Sequence, residues 1–139
     1  MSKENPSPPN KPSGQSLVEF AIILPTLLLM ILGTMDFASL FSTKIVLTNA
    51  AREGASYISQ NPAGFGYAVS VINAEAQNIT LDDINISCEP QQAGECTSGG
   101  TVTVIVTKNM DLIFSGFLQS LGLTSGPLPL SSTVRMMVR

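Results

Sequence analysis

The sequence predicts an α+β fold: a long amino-terminal helix, transmembrane in its first half, and then a small domain with a short antiparallel sheet of about three strands packed on that helix. Three observations lead to this prediction. Sixteen uncharged and mostly apolar residues separate Glu19 from Asp36. Helical periodicity continues beyond them as far as a proline at position 62, and short runs of alternating apolar and polar residues come after it.

The chain divides into three predicted segments. Residues 1–14 contain four prolines and, beyond Met1, no large aliphatic side chain, so they cannot bury enough surface to offset the entropy of ordering. We therefore expect a disordered leader over 1–14 and a long helix over 15–60 that spans a membrane at about 17–40. Residues 61–139 are expected to form an extracytoplasmic α+β domain.

The apolar segment is long enough to cross a bilayer. As a helix, the stretch between Glu19 and Asp36 covers roughly 24 Å at about 1.5 Å per residue, and the hydrocarbon core is ~30 Å thick. Apolar residues on both sides, including Leu17 and Phe37–Phe41, extend the stretch. A cleaved secretory signal has a shorter apolar run with small residues at the cut, which this sequence matches poorly, so we expect the anchor to be retained.

The outer half of the long helix carries a narrow apolar stripe. Leu47, Ala51, Ala55 and Ile58 are spaced by four, four and three residues, which places them on one helix face. Small neighbours such as Gly54 would let another backbone approach closely. The proline at position 62 cannot continue the helix and restricts the residue before it, so we expect the helix to end there.

Residues beyond position 62 predict the small domain. A moderately helical stretch covers 66–78, and three short strands follow, with glycine and proline at the breaks. Three short strands bury little surface alone, so we expect them to cover the slim outer half of the helix. The apolar positions expected on the inner faces are Ile84, Ile86 and Cys88 in the first strand, Val102, Val104 and Val106 in the second, and Leu130, Val134, Met136 and Val138 in the third.

A second helical stripe lies between the second and third strands. We expect it to cover the sheet, because the small domain otherwise lacks core material. The alternative is that the stripe contacts a partner or rests on the membrane surface. Its members are Met110, Ile113, Phe114, Phe117, Leu118 and Leu121.

Composition argues against several classes of function. The net charge is −3, and no Lys or Arg occurs between Arg52 and Lys108, so the chain has no basic patch for nucleic acid. It contains no His, the commonest general base and metal ligand. No pair of nucleophile and base is visible. We therefore expect no enzyme activity, no cofactor and no metal site.

The two cysteines fit a small disulfide-closed loop. Seven residues, including Pro90 and Gly94, separate Cys88 from Cys96. A disulfide would require an oxidising, extracytoplasmic compartment. Two free thiols in a loop are the alternative.

The junction between leader and helix carries the sharpest functional signal. Gly14, Gln15, Glu19 and Phe20 lie where the polar leader meets the apolar run, and a glycine followed five residues later by glutamate is the arrangement of a prepilin processing site. A glycine lets a protease approach the backbone, and a carboxylate near lipid is costly without a partner. Cleavage after Gly14 would expose an amino group at Gln15 that a neighbour's Glu19 could pair with. The plain alternative is a linker glycine and a glutamate at the membrane edge.

The segment GQSLVEFAIILPTLLLMILGTMDFASLF, followed by TNAAREGASYIS, resembles the TadE-like family of pseudopilins. The shared features are Val18-Glu19-Phe20, Leu24-Pro25, Asp36-Phe37 and the segment from Asn49 to Ala55. The resemblance implies a minor pilin of a tight-adherence (Flp) type IV pilus, matured by a prepilin peptidase. The implied partners are the membrane, that peptidase, other pilin or pseudopilin subunits and the assembly platform.

Six positions are predicted to take part in subunit packing: Glu19, Pro25, Asp36, Arg52, Glu53 and Gly54. Pro25 would give the helix flexibility during extraction from the bilayer, although membrane helices tolerate proline without such a role. Asp36 is expected to mark the outer interface, with a partner contact as the alternative. Arg52 and Glu53 are adjacent and do not face each other, so they either contact a subunit or the sheet or are simply solvated.

The overall prediction is a non-enzymatic subunit anchored in the cytoplasmic membrane by one helix and incorporated into, or supporting, a pilus. Positive charges before and after the helix are balanced. The processing motif and the candidate disulfide place the amino terminus in the cytoplasm. The main alternative is an unprocessed single-pass membrane protein whose outer domain binds a partner.

Overall fold

The computed structural model describes residues 14–77, 79–92, 95–123 and 126–139, so the leader predicted over 1–14 lies outside the described residues except for Gly14. The predicted fold is confirmed: a long helix precedes a small domain whose three-stranded antiparallel sheet packs on it. In chain order the elements are α1 (Gln15–Gln60), α2 (Phe65–Ala76), β1 (Asp83–Gln92), β2 (Glu95–Met110), α3 (Ile113–Ser120) and β3 (Leu128–Met137).

Helix α1 runs for 46 residues and contains Pro25 within it. It is the one helix among the described residues that is long and apolar enough to cross a membrane, and its most apolar window is not buried by the rest of the chain. At its far end the Asn61 amide donates to the carbonyl oxygens of Tyr57 and Ile58. The helix therefore ends at Gln60, two residues before the proline and at the boundary that the sequence predicts.

The sheet has the order β1-β2-β3, with β2 in the centre. Ile86 pairs with Val104, which in turn pairs with Val134. Alternation along β2 turns its valines inward, where all are fully buried. The core under the sheet comprises Leu47, Ala50, Ala51, Ala55 and Ile58 of α1, Ala68 and Ile72 of α2, and Cys88, Cys96, Val102, Val104, Val106 and Val138.

The direction of β3 relative to α1 sets which end of the domain faces the apolar half of the helix. Near the start of β3, the Lys44 ammonium donates to the Ser131 carbonyl, and the hydroxyl oxygens of Thr48 and Ser132 lie 3.0 Å apart. Just beyond the end of β3, the Arg139 amide donates to the Ser59 carbonyl. Strand β3 therefore runs in the same direction as α1, and the connection between β2 and β3 lies at the end facing the apolar half.

Helix α3 is where the sequence-based expectation fails. We expected its apolar stripe to cover the sheet, but α3 packs against α1, and Phe117 lies beside Pro25, Leu28 and Leu29. The sheet has no need of a further cover, because α1 and α2 already bury its inner face.

Candidate functional site

Gly14 immediately precedes the first residue of α1. Its backbone, with φ −100° and ψ −19°, is in a conformation that any residue can adopt, and its carbonyl accepts from the Val18 amide at 3.3 Å. A Cβ added at Gly14 would meet no described atom within 4 Å. Neither backbone conformation nor packing in the described chain therefore requires glycine at this position.

Glu19 lies one helical turn after Gln15 on the same face of α1. Its carboxylate accepts a hydrogen bond of 3.3 Å from the Gln15 side-chain amide, and both residues are exposed. Among the described residues, the structure contains one ion pair, between Lys108 and Asp82 at 3.8 Å. Glu19 therefore has no cationic partner among those residues. Its charge remains free to pair with a group from another chain.

The residues after Glu19 present an uncovered apolar surface. Phe20 is exposed, as are most of the large side chains as far as Phe41. Pro25 lies within the continuous helix and lines a shallow apolar groove with Leu28, Leu29, Leu32 and Phe117. This surface suits lipid or the apolar helix of another subunit.

Asp36 has a clear role within the chain. It is only 7% exposed, and its two carboxylate oxygens accept hydrogen bonds from the first backbone amides of α3, Ile113 at 2.9 Å and Phe114 at 2.7 Å. The first amides of a helix have no partner within it, and a carboxylate there also meets the positive end of the helix dipole. Asp36 thus caps α3 from a different helix, and this contact accounts for its burial without another subunit.

The remaining predicted packing positions separate into two groups. Arg52 and Glu53 are exposed on the side of α1 that faces away from the domain, where contacts with other chains are open to them. Gly54 is buried, and a Cβ added there would overlap the side chain of Ile72 in α2. Gly54 therefore allows close packing of α2 against α1 within the chain.

The cysteines join β1 to β2. The structure links Cys88 to Cys96 with a Cα–Cα distance of 5.4 Å, and both side chains are buried at the edge of the core. The Cys96 amide also donates to the Pro62 carbonyl at 3.2 Å. A bond here would fasten the far end of the hairpin, close to the point where α1 ends.

Two functional contacts escaped the sequence reasoning: the cap that Asp36 provides for α3, and the contact between Gly54 and Ile72. The residue before α3 is Leu112, whose side chain cannot cap a helix. A leucine at the amino-terminal boundary of a predicted helix indicates that its first amides must find an acceptor elsewhere in the chain or in water. That signal does not identify Asp36, which lies 77 residues away.

Comparison with known proteins supports the sequence resemblance. The family model for TadE-like proteins matches residues 14–56, which covers Gly14 and nearly all of α1. No significant match was found among curated proteins or solved structures. Among the described residues, no group of His, Cys, Asp and Glu side chains is arranged to hold a metal ion.

Proposed function

We propose that the chain, whose residues 14–56 match the family model for TadE-like proteins, acts as a minor pilin or pseudopilin of the tight-adherence pilus system. In this proposal a prepilin peptidase cleaves after Gly14, and the mature chain assembles through α1. The protein has a structural role and catalyses no reaction. Its amino terminus lies in the cytoplasm, and the domain formed by residues 61–139 lies on the extracytoplasmic side of the cytoplasmic membrane.

The observation that carries the proposal is the junction at the start of α1. The family match begins at Gly14, the helix begins at Gln15, and nothing in the described fold requires glycine at the boundary. A requirement imposed from outside the fold, such as access of a protease to the peptide bond, explains why a residue without Cβ stands there.

Glu19 supplies the second part of the proposal. Hydrolysis of the bond between Gly14 and Gln15 would leave a positively charged amino group at the first residue of α1. A carboxylate costs about 2.5–3.5 kcal/mol at the centre of a membrane helix on insertion scales, and Glu19, one turn inside α1, carries part of that cost. Pairing of Glu19 with the amino group of a neighbouring subunit would offset that cost and favour one register between helices.

Processing is tested by comparing Gly14→Ala with Gly33→Ala. Both glycines lie on or next to α1 in open space, so both variants should fold. Intact mass or amino-terminal sequencing of native-host membranes should show a chain starting at Gln15 for the wild type and Gly33→Ala, and retention of the leader in Gly14→Ala. A wild-type chain that keeps Met1–Gly14 in a peptidase-competent host would overturn the processing step and favour the unprocessed single-pass protein.

Assembly is tested by Glu19→Gln, which keeps the shape of the side chain and removes its charge. We expect normal cleavage and membrane insertion but loss of co-purification with the other pilus subunits. Glu75→Gln, on the exposed side of α2, is the matched control and should assemble normally. Normal piliation with Glu19→Gln would contradict the proposed pairing.

A further inference from the structure

In the connection between β2 and β3, helix α3 extends along the apolar half of α1. The amino end of α3 is fixed at Asp36, and one turn later Phe117 lines the groove with Pro25, Leu28, Leu29 and Leu32. Helix α3 therefore runs back toward the amino terminus of α1. At about 1.5 Å per residue, Leu32 and Pro25 lie roughly 6 and 16 Å from Asp36 along the α1 axis, toward its amino terminus. Phe117 lies at a level between these two residues.

This connection is free of charge and rich in apolar side chains. No Asp, Glu, Lys or Arg occurs between Asp111 and Arg135. The apolar side of α3 is only partly covered by α1: Ile113 is 57% exposed, Phe117 39% and Leu121 62%. An uncovered apolar patch that continues the surface of a membrane-spanning helix is costly in water.

The first amides of α3 and the carbonyls of Leu118 and Gln119 near its end have hydrogen-bond partners inside the chain. Asp36 accepts from the first two amides. At the other end, the Gly122 amide donates to Gln119 and the Leu123 amide to Leu118, both at 3.0 Å, and Gly122 has φ +79°. This is the Schellman arrangement, which glycine favours at a helix end. Each unsatisfied backbone group costs several kcal/mol in hydrocarbon, so these caps suit a helix that contacts lipid.

We propose that α3 and the turn at Leu121 and Gly122 are immersed in the leaflet next to the domain, beside the membrane-spanning half of α1. The eight residues of α3 span about 12 Å, close to half of a ~30 Å hydrocarbon core. Asp36 then lies at the level where hydrocarbon begins, held there by the α3 amides. The domain is attached to the bilayer at two points, which fixes its tilt and rotation about α1.

Lipid fits this surface better than a second protein. A protein partner confined to α3 would bury too little surface, because a stable interface needs about 800 Å² per partner and three exposed side chains do not supply it. Lipid contact needs no such area, because the patch is continuous with the α1 surface that the bilayer already covers. The inference rests on α1 spanning the membrane and does not depend on the pilus function.

Tryptophan fluorescence provides the test, because the chain contains no Trp and each single substitution therefore reports its own position. The full chain carrying Leu121→Trp is reconstituted into phosphatidylcholine vesicles with or without brominated acyl chains, which quench tryptophan on contact. Ile31→Trp on α1 is the control inside the bilayer, and Tyr67→Trp on the exposed side of α2 is the control outside it. Ile113→Trp gives a second position on α3 in case Leu121→Trp perturbs the helix.

We expect bromolipid to quench Leu121→Trp at least half as strongly as Ile31→Trp and several-fold more than Tyr67→Trp. Aqueous acrylamide should show the opposite order. Quenching of Leu121→Trp and Ile113→Trp like that of Tyr67→Trp, with Ile31→Trp quenched by lipid, would overturn the inference and leave the span intact. Protection from both quenchers that is lost at a high lipid-to-protein ratio would also overturn it and assign the face to another protein chain.

Discussion

Removing the Asp36 carboxylate should release α3 from α1. In Asp36→Ala the amides of Ile113 and Phe114 lose their acceptors at 2.9 and 2.7 Å. Hydrogen bonds to a charged group contribute about 1.5–3 kcal/mol each, and the freed amides can partly recover with water. The lower end of that range gives about 3 kcal/mol for the pair, which is roughly a 100-fold increase in the equilibrium constant for detaching α3.

Amide hydrogen exchange, followed by mass spectrometry on the full chain in detergent micelles, measures this opening directly. Peptides covering α3 should exchange roughly 100-fold faster in Asp36→Ala, since the opening constant rises by about 3 kcal/mol, while peptides from the centre of β2 stay unchanged. Asp111→Ala is the matched control, because Asp111 is an exposed acid next to the same helix. Unchanged exchange of α3 in Asp36→Ala, or an equal change in both variants, would refute the capping argument.

Two further predictions concern the domain. Gly54→Val should lower the free energy of unfolding by about 1–3 kcal/mol, because the added side chain overpacks against Ile72. Circular dichroism in detergent measures the change, with Gly66→Ala as the control because Gly66 has open space around it. Equal stability of the two variants would contradict the close packing. Alkylation without prior reduction should leave the mass of the chain unchanged, because Cys88 and Cys96 are bonded. Reduction should lower the free energy of unfolding by about 2–3 kcal/mol, as expected for the short loop that this bond closes. A mass gain before reduction would show free thiols.

The sequence was sufficient for features that depend on local periodicity. The end of α1 follows from a proline, and the buried faces of β2 and β3 follow from the alternation around Val104 and Val134. The family resemblance was equally accessible, because it rests on a contiguous segment, residues 14–56. The position of α3 was not accessible in this way. An apolar stripe shows that a helix needs an apolar neighbour without showing which one.

The sequence by itself determined the single apolar helix, the glycine and glutamate at its start, and the strand pattern of the domain, because each is written in residues close together along the chain. Tertiary structure decided that Gly54 meets Ile72 inside the chain, that Asp36 caps α3, and that α3 follows α1 instead of the sheet. These contacts join residues from 18 to more than 70 positions apart. They depend on the direction of β3 along α1, which places the connection between β2 and β3 at the apolar end of the domain.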